Sequence, residues 1–413
     1  MTKTFSLPQG VKDFGPQQAE ELRRVEDVIL EEFSRWGYKR VITPLFEYHD
    51  TITIGLGEDL KSKVMKFIDP STGEIVALRP DITPQIGRIV ATQLKLNSSH
   101  LRLCYNGRIV RFEEKGSGKE REIFQAGCEL MGPKSAECDA EIIALSIRSL
   151  QKLGIENLVL DIGHSGILRV VFSKLGDLEE EFKLALKSKQ FETISKILRK
   201  SGFDKKTQDL IISFCNSSNN KNILKKLKEK RIFQKQIVEL EKVLEIINEY
   251  RLNCDINIDI GDIRGFNYYT GITFEIISPQ TFSPLVLGGR YDSLVEKYGH
   301  LTPATGFAID IEQVLSVTRT KLEDTQVHFI VRPKTKSLRK EAIRLTQWLR
   351  SSGFKVILEV DQSGNKGKKS SSASKTSYGE IILETSKKIK LIDSKSGAKR
   401  EFSNLEELLK GGF

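Results

Sequence analysis

Residues 102–113, RLCYNGRIVRFE, and residues 121–131, REIFQAGCELM, decide the fold, because they predict two long antiparallel strands joined by a Gly-rich loop. Side chains alternate between the two faces of a strand. One face of the second strand is mostly apolar and suits a core: Glu122, Phe124, Ala126, Cys128 and Leu130. The other face carries Gln125 and Glu129 on either side of Gly127. It is either the polar floor of a pocket or a solvated sheet face.

The sequence before this hairpin predicts a helix, a short strand and a pair of strands. Apolar residues recur at three- and four-residue steps from Leu22 to Trp36, with Pro16 suited to the first turn and Gly37 to the end. A strand follows at residues 38–42 and leads to Pro44. Residues 63–79 predict two strands around a turn, and residues 81–84 begin a second helix.

After the hairpin, Lys-rich helical patterns predict an inserted helical subdomain over about residues 165–253, with a break at residues 216–222. Strand patterns resume at residues 255–260, 268–277 and 285–289, and Gly288-Gly289-Arg290-Tyr291-Asp292 leads into a helix. These segments complete a predicted core domain of residues 1–325.

A second, smaller α/β domain is predicted over residues 326–413. It begins with a strand, a helix and a strand, at residues 327–331, 338–351 and 355–360. Residues 363–377, SGNKGKKSSSASKTS, cannot pack a core and predict a disordered loop. Two short strands and a helix are expected to finish the chain.

The net charge of +10 is unevenly distributed. Residues 165–253 contribute +7 and residues 326–413 contribute +10, which leaves −7 for the rest of the chain. The region with the pocket motifs is therefore acidic, which argues against nucleic-acid binding by the core.

Two further features concern the cellular location. The N-terminus has no apolar segment, and no run approaches the roughly 18 apolar residues of a membrane helix. The five cysteines are odd in number and form no Cys-x-x-Cys pair. We therefore expect a cytoplasmic protein without structural disulfides, metal or cofactor, and with no membrane partner.

Several segments together suit a zwitterionic amino acid as ligand, through acids for an ammonium, arginines for a carboxylate, and aromatic and neutral polar groups for a side chain. The candidate residues are Asp81, Thr83, Tyr105, Arg111, Glu113, Gln125, Glu129, Arg264, Tyr268 and Tyr269. Each signal is weak alone. Arg111 and Glu113 also fit a surface ion pair, and Tyr268 and Tyr269 also fit a partly buried core position.

Five motifs in this order resemble histidyl-tRNA synthetase and its close relatives: LRPDIT, YNGRIVRFE with REIFQAGCE, RGFNYYTGITFE, GGRYDSLV and PATGFA. The resemblance spans roughly residues 1–325, with the helical insertion in the same place. It implies an α+β class II synthetase fold: a six- or seven-stranded antiparallel sheet flanked by helices. It also implies a homodimer formed through the helix and strand that end at Pro44.

The resemblance implies roles for individual positions. Asp81, where the synthetase has Glu, is implied to contact histidine, as are Thr83, Gln125, Glu129 and Tyr269, with Tyr268 as the other tyrosine of the pair. Arg111 matches the arginine on the α-phosphate of ATP, and Glu113 matches the carboxylate near adenine. Arg264 matches the arginine that the histidine branch uses in place of a metal.

The chain departs from the synthetase where the triphosphate would bind. Gln313 replaces the arginine on the γ-phosphate, Asp310 replaces a glycine, and Glu114 replaces a basic residue. The loss of a charge-assisted contact and the addition of a negative charge near the triphosphate each reduce the free energy of ATP binding by an amount on the order of a few kcal/mol. The Lys/Ser/Gly loop also stands where an anticodon-binding domain would continue. We therefore expect no amino-acid activation by ATP.

A synthetase-like core with these losses resembles the family of ATP phosphoribosyltransferase regulatory subunits. That resemblance implies a non-enzymatic partner of the short-form catalytic subunit in the first step of histidine biosynthesis, with histidine as the candidate ligand of the pocket. Two alternatives stay open. One is a divergent histidyl-tRNA synthetase, and the other is a binding module for RNA or another partner, which only the basic appendages favour. The pocket residues also fit a purely structural role that braces the sheet.

Overall fold

The computed structural model describes residues 6–94, 100–113, 120–132, 134–216, 223–263, 265–266, 268–281, 283–318, 328–359, 379–385, 388–393, 396–403 and 407–408. The chain divides into two compact units, Met1–Thr320 and Lys321–Phe413. The predicted domain boundary at residues 325 and 326, the predicted loop at residues 363–377 and most of the predicted break at residues 216–222 lie outside the described residues.

The strands of the first unit, in chain order, are β1 (Lys39–Arg40), β2 (Phe46–Tyr48), β3 (Lys66–Ile68), β4 (Ile75–Leu78), β5 (Leu101–Val110), β6 (Glu122–Met131), β7 (Leu158–His164), β8 (Cys254–Ile258), β9 (Ile272–Ile277), β10 (Val286–Arg290) and β11 (Ala304–Asp310). The long hairpin of β5 and β6 is confirmed.

Its helices are α1 (Pro16–Arg35), α2 (His49–Ile54), α3 (Glu58–Lys61), α4 (Thr83–Thr92), α5 (Ala136–Lys152), α6 (Ser165–Phe172), α7 (Glu179–Lys187), α8 (Phe191–Lys200), α9 (Lys205–Asn216), α10 (Ile223–Lys228), α11 (Gln234–Glu249) and α12 (Ile311–Val317). The GGRYD motif leads into a short 3-10 helix, Val295–Tyr298.

Within the described residues, eight strands form the main sheet in the order β1-β5-β6-β11-β10-β9-β7-β8. The expectation of a six- or seven-stranded antiparallel sheet is wrong in two details. The sheet has eight strands, and it is mixed, because the pairs at its two edges, β1 with β5 and β7 with β8, are parallel. The class II architecture itself, a sheet flanked by helices, is confirmed.

Helix α1 covers the apolar face of the hairpin. Val25, Ile29 and Phe33 are fully buried, and the Phe33 ring meets Phe307 of β11 edge to face at 5.6 Å. Gly37 ends the helical region with a φ of +82°, a left-handed conformation that glycine adopts without strain. This packing leaves the opposite face of the central strands open for a site.

Helices fill the region predicted as an insertion, and their apolar side chains form a buried cluster. Helices α6 to α11 bury apolar side chains against one another, among them Phe172, Phe182, Leu198, Ile211 and Phe233. A separate sheet of β2, β4 and β3 lies in the N-terminal part of the unit.

The second unit contains β12 (Phe329–Pro333), α13 (Arg339–Ser351), β13 (Val356–Leu358), β14 (Gly379–Thr385), β15 (Lys388–Asp393) and β16 (Lys399–Phe402). Its sheet order is β13-β12-β14-β15-β16. The expectation of two closing strands is wrong, because three strands follow residue 378 in the described part of this unit. The third, β16, is mostly polar and exposed, so it lacks the apolar alternation that marks a strand in sequence.

Candidate functional site

The floor of the site is formed by the face of the sheet that α1 leaves open. Antiparallel pairing sets residues of β6 directly opposite residues of β11: Gln125 with Asp310, Gly127 with Ala308, and Glu129 with Gly306. Directly opposite residues point to the same face of a sheet. Both Gln125 and Glu129 are buried, with 8% and 1% of their surface exposed. The solvated-face interpretation of this strand is therefore wrong.

Glycine is required at two positions of this floor because other groups occupy the space. A Cβ at Gly306 would collide with the carboxylate of Glu129 and lie 2.6 Å from the carbonyl oxygen of Cys128. A Cβ at Gly127 would lie 2.5 Å from the Tyr105 hydroxyl. The glycines thus allow polar side chains to lie flat against the sheet.

Glu129 is the most buried carboxylate of the site. Thr83 Oγ1 donates to Glu129 Oε1 at 2.7 Å, and the Tyr291 hydroxyl donates to Glu129 Oε2. Burial raises the pKa of Glu129 to about 8, although both hydroxyl donors act to lower it. The side chain therefore holds its proton well above the pH at which an exposed glutamate loses it.

Three tyrosines form a wall beside Glu129. Tyr268 stacks on Tyr291 with ring centroids 5.1 Å apart, and Tyr269 meets Tyr268 edge to face at 5.2 Å. Within the described residues, the buried Tyr268 hydroxyl and Gln125 Oε1 have no hydrogen-bond partner. Because an unsatisfied buried polar group is costly, both atoms indicate a site that a ligand or water completes.

Asp81 and Arg111 lie at the side of the same site. Asp81 Oδ1 accepts from the backbone N–H of Ile82 at 2.9 Å, and Arg111 Nε donates to the Pro80 carbonyl at 2.8 Å. Burial raises the pKa of Asp81, while the positive charge of Arg111 acts to lower it. The two side chains thus interact electrostatically, and Asp81 lies just before the N-terminus of helix α4.

Asp310 lies at the far end of the floor, where β11 turns into α12. Its Oδ1 accepts from the backbone N–H groups of Glu312 and Gln313, both at 3.1 Å, and so caps the helix. Burial raises the pKa of Asp310, and the two backbone amides act to lower it. This aspartate therefore has a local structural role as well as a position in the site.

Nearby cations at this end are held by acidic side chains. Lys63 Nζ lies 2.6 Å from Glu113 Oε1. Lys12 pairs with Glu312 and lies 3.4 Å from Glu120. These lysines are therefore already engaged in ion pairs.

Most of these groups line one cavity of about 620 Å³. It brings together the predicted site residues Asp81, Thr83, Arg111, Gln125, Glu129, Tyr268 and Tyr269, and also Asp310 and Gln313. Arg264 and Glu114 lie outside the described residues. The volume falls within the roughly 300–1,000 Å³ range of small-molecule sites, and it is larger than the volume of one amino acid.

Sequence reasoning missed Tyr291, which donates to Glu129 from the adjoining part of the sheet. The GGRYD motif was a usable signal, because it places a polar aromatic residue directly after a strand. Arg290 before it is 2% exposed and forms a buried ion pair with Asp139, with 2.9 Å between Arg290 Nη2 and Asp139 Oδ1. That pair fixes the strand end from which Tyr291 projects.

Two general features complete the description. Among the described residues, none of the helices is both long and apolar enough to span a bilayer. In the same part of the chain, no cluster of three His, Cys, Asp or Glu side chains is arranged to hold a metal ion.

Comparison with known proteins gives consistent findings. A family model described as histidyl-tRNA synthetase matches residues 10–314. The ATP phosphoribosyltransferase regulatory subunit of Geobacter sulfurreducens is 33% identical over 362 residues, which cover 86% of this chain and 83% of that protein. The protein of the same name from Halothermothrix orenii is 34% identical over 426 aligned positions, covering 99% of this chain and 98% of the relative.

Solved structures agree on the fold. A Bacillus halodurans structure described as an ATP phosphoribosyltransferase regulatory subunit/histidyl-tRNA synthetase superposes with a TM-score of 0.78 at 25% identity, covering 89% of this chain and 95% of that one. Histidyl-tRNA synthetase from a Nostoc species also gives a TM-score of 0.78, covering 98% of both chains. Its 22% identity supports the shared fold alone.

Proposed function

Since the chain belongs to the family of ATP phosphoribosyltransferase regulatory subunits, we propose that it is the non-catalytic regulatory subunit of that enzyme. One observation carries the proposal: relatives of that name are 33–36% identical to the chain, and the alignment with one of them covers 99% of it. The role is to support the first step of histidine biosynthesis.

The proposed partner is the short-form catalytic subunit of ATP phosphoribosyltransferase, in a hetero-oligomer. The proposed location of this chain is the cytoplasm, where thiols stay reduced. The five free cysteines are compatible with such a compartment. We propose no direct role for nucleic acid, because the sequence around the pocket is acidic overall.

We propose that the chain does not activate histidine with ATP. Asp310 occupies the end of the cavity that the triphosphate would need, and Gln313 has no charge to offer a phosphate. The lysines nearby are paired with Glu113 and Glu312. A polyphosphate would have to break these pairs and approach additional carboxylates, which is unfavourable in a partly buried site.

The deep end of the cavity, around Glu129, is the proposed histidine site. The Tyr268 hydroxyl offers an unsatisfied polar atom, Thr83 and Glu129 supply further ones, and Gln125 Oε1 adds another where this end of the floor meets Asp310. The aromatic wall suits a planar ring. Histidine bound here would act as the feedback signal of the complex, with Asp81, Arg111 and Arg264 as further candidate contacts.

The proposed homodimer uses the surface that follows α1. Several large apolar side chains are exposed there: Ile42, Leu45, Phe46, Tyr48, Phe67, Ile68 and Ile75. Exposed apolar side chains on and beside the neighbouring strands β2, β4 and β3 indicate a protein–protein contact. Sedimentation at micromolar concentration should show a dimer, and Phe46→Glu should weaken it. Leu184→Glu, on the exposed surface of the insertion, is the matched control and should leave the dimer intact.

The main test combines purification and kinetics. The chain and a short-form catalytic subunit from the same organism should co-elute. The rate of ATP phosphoribosylation should rise at least tenfold over that of the catalytic subunit alone, which corresponds to an activation barrier lowered by about 1.4 kcal/mol. Histidine should reduce that rate in the complex. Separate elution together with an unchanged rate would overturn the proposal.

The family match to histidyl-tRNA synthetase favours a second candidate, a divergent synthetase. Pyrophosphate–ATP exchange distinguishes the two. We expect no histidine-dependent exchange by the purified chain, and none by Gln313→Arg, because Asp310 remains. Exchange above background by the unmodified chain would establish the synthetase instead.

A further inference from the structure

The end of the cavity floor near Asp310, where Lys12 and Glu120 are exposed, is the mouth-side end, and it presents two acceptors side by side. Gln125 and Asp310 are directly opposite on β6 and β11, a relation that sets Cβ atoms about 5 Å apart. Gln125 is 92% buried, lines the cavity, and its Oε1 has no partner among the described residues. Asp310 lines the same cavity and uses its Oδ1 for two backbone amides. A donor group from a ligand would satisfy the amide oxygen.

The charged residues that line the cavity indicate that this donor group carries a positive charge. Among the described residues that line it, Asp and Glu outnumber Lys and Arg by eleven to two. The two cations are Lys63, which is paired with Glu113, and Arg111, which donates to the Pro80 carbonyl. Acidic clefts with low-dielectric walls concentrate cations and repel anions. A phosphate is therefore disfavoured here, and a positively charged nitrogen group is favoured.

An apolar surface lies next to the acceptors. Leu287 of β10 is 49% exposed although it lies in a central strand, and it stands opposite Ala308 of β11. Ala308 is two residues before Asp310, so all three side chains point to the same face of the sheet. An exposed leucine beside these two acceptors matches a ligand with an aliphatic stem and a charged head, as in lysine or arginine side chains.

We propose that this part of the cavity, Gln125, Asp310 and Leu287, binds an alkyl-guanidinium or alkyl-ammonium group. The charged head lies between Gln125 and Asp310, and the stem covers Leu287. The group belongs either to a free basic metabolite or to a basic side chain of a partner protein. The inference goes beyond the proposed function, and Gln125 is the one residue that it shares with the proposed histidine site.

Calorimetric titration of the full-length chain with agmatine tests the inference, because agmatine carries both cationic groups and no carboxylate. We expect saturable binding, and we expect Asp310→Asn to weaken it about tenfold or more, since a charge-assisted hydrogen bond is lost. Asparagine caps a helix as well as aspartate does, so α12 should stay intact. Asp177→Asn, at an exposed aspartate of the insertion, makes the same chemical change elsewhere and should leave binding unchanged.

Three results would overturn the proposal: no heat with millimolar agmatine, equal binding by Asp310→Asn, or tighter binding of ADP than of agmatine. A parallel titration with histidine separates this inference from the proposed histidine site. Agmatine binding without histidine binding would support the inference and contradict the histidine site. Histidine binding without agmatine binding would support the histidine site and contradict the inference.

Two further titrations distinguish the sources of the cation once agmatine binds. N-acetyl-arginine amide represents an arginine within a protein chain and should bind through the same head. Agmatine binding that disappears on assembly with the catalytic subunit would assign the group to the partner. Agmatine binding that persists in the complex would assign it to a free metabolite.

Discussion

Glu129 and Asp310 are carboxylates on the floor of one cavity, and they are held by different kinds of donor. Glu129 accepts from the hydroxyls of Thr83 and Tyr291, whereas Asp310 accepts from two backbone amides at the start of α12. A hydroxyl can rotate and exchange its acceptor for a ligand, but a backbone amide in a helix cannot. The deep end can therefore adapt to a ligand, and the mouth-side end is fixed by the fold.

The same contrast extends to the neutralisation of charge. Among the described residues, Glu129 has no cationic side chain in contact, and burial raises its pKa to about 8. At the mouth, Glu113 and Glu312 are each paired with a lysine. Charge is suppressed by protonation at the deep end and by ion pairing at the mouth. This difference predicts which substitutions change the fold, the pH dependence or only the local helix.

The largest effect is expected from Gly306→Ala, which adds a Cβ against Glu129 and the Cys128 carbonyl. Because one of these groups is backbone, the strand pair must shift, and we expect a loss of roughly 2–4 kcal/mol in the free energy of unfolding. Urea denaturation followed by tryptophan fluorescence measures it. With Trp348→Phe as the background, Trp36 is the remaining tryptophan and reports on the first unit.

Gly15→Ala is the control for this substitution. A Cβ added at Gly15 would meet no other atom within 4 Å, so we expect a change below about 1 kcal/mol. If Gly306→Ala changed stability no more than Gly15→Ala, the close packing of Glu129 against β11 would be wrong.

The sequence predicted this packing only in part. The alternation in β6 identified Gln125 and Glu129 as one face, because strand periodicity is a local property. The contact between Tyr291 and Glu129 joins residues 162 positions apart and depends on the order and register of three strands. Neither order nor register is encoded in the local pattern of either strand. Motif resemblance, rather than periodicity, brought the remaining pocket residues together.

The parallel edges of the main sheet show a similar limit. Strand β1 has two residues, which is too short for an alternation to be recognised, and its pairing with β5 is long-range. By contrast, α1 was predictable to within one residue of its end, because five helical turns repeat the same apolar spacing. Long local periodicities were predictable, and short strands and ion pairs between distant segments, such as Lys12 with Glu312, were not.

An intermediate effect is expected from the titration of Glu129. Its pKa is raised from an ordinary 4.5 to about 8 in the folded chain, so the folded state binds the extra proton between these values. The stabilising contribution is complete below about pH 4.5 and is lost as the pH rises towards 8. Glu129→Gln should remove this loss, which we expect to amount to a few kcal/mol at most.

Urea denaturation of wild type and Glu129→Gln at pH values from about 4.5 to 9, a range that spans the change in the pKa of Glu129, checks this expectation. Stability of the wild type should fall relative to the variant as the pH rises. Glu296→Gln, at an exposed glutamate, should follow the wild type. Parallel pH profiles for all three proteins would mean that Glu129 is already ionised in the fold.

The smallest effect is expected at the fixed end of the cavity. Asp310→Ala removes the side-chain oxygen that accepts from Glu312 and Gln313, and a lost helix cap costs about 1 kcal/mol. Asp310→Asn keeps a capping oxygen and should change the free energy of unfolding by less than half as much. Urea denaturation of the two variants, again followed through Trp36, separates the capping role from the charge. Because Asp310 has a raised pKa of its own, both variants should change the acidic part of the pH profile. Since the amides of α12 hold the carboxylate independently of the deep end, neither variant should alter the part of the profile near pH 8 that Glu129 sets. A change near pH 8 in Asp310→Asn would show that the two ends are electrostatically coupled, and the contrast between an adaptable end and a fixed end would fail.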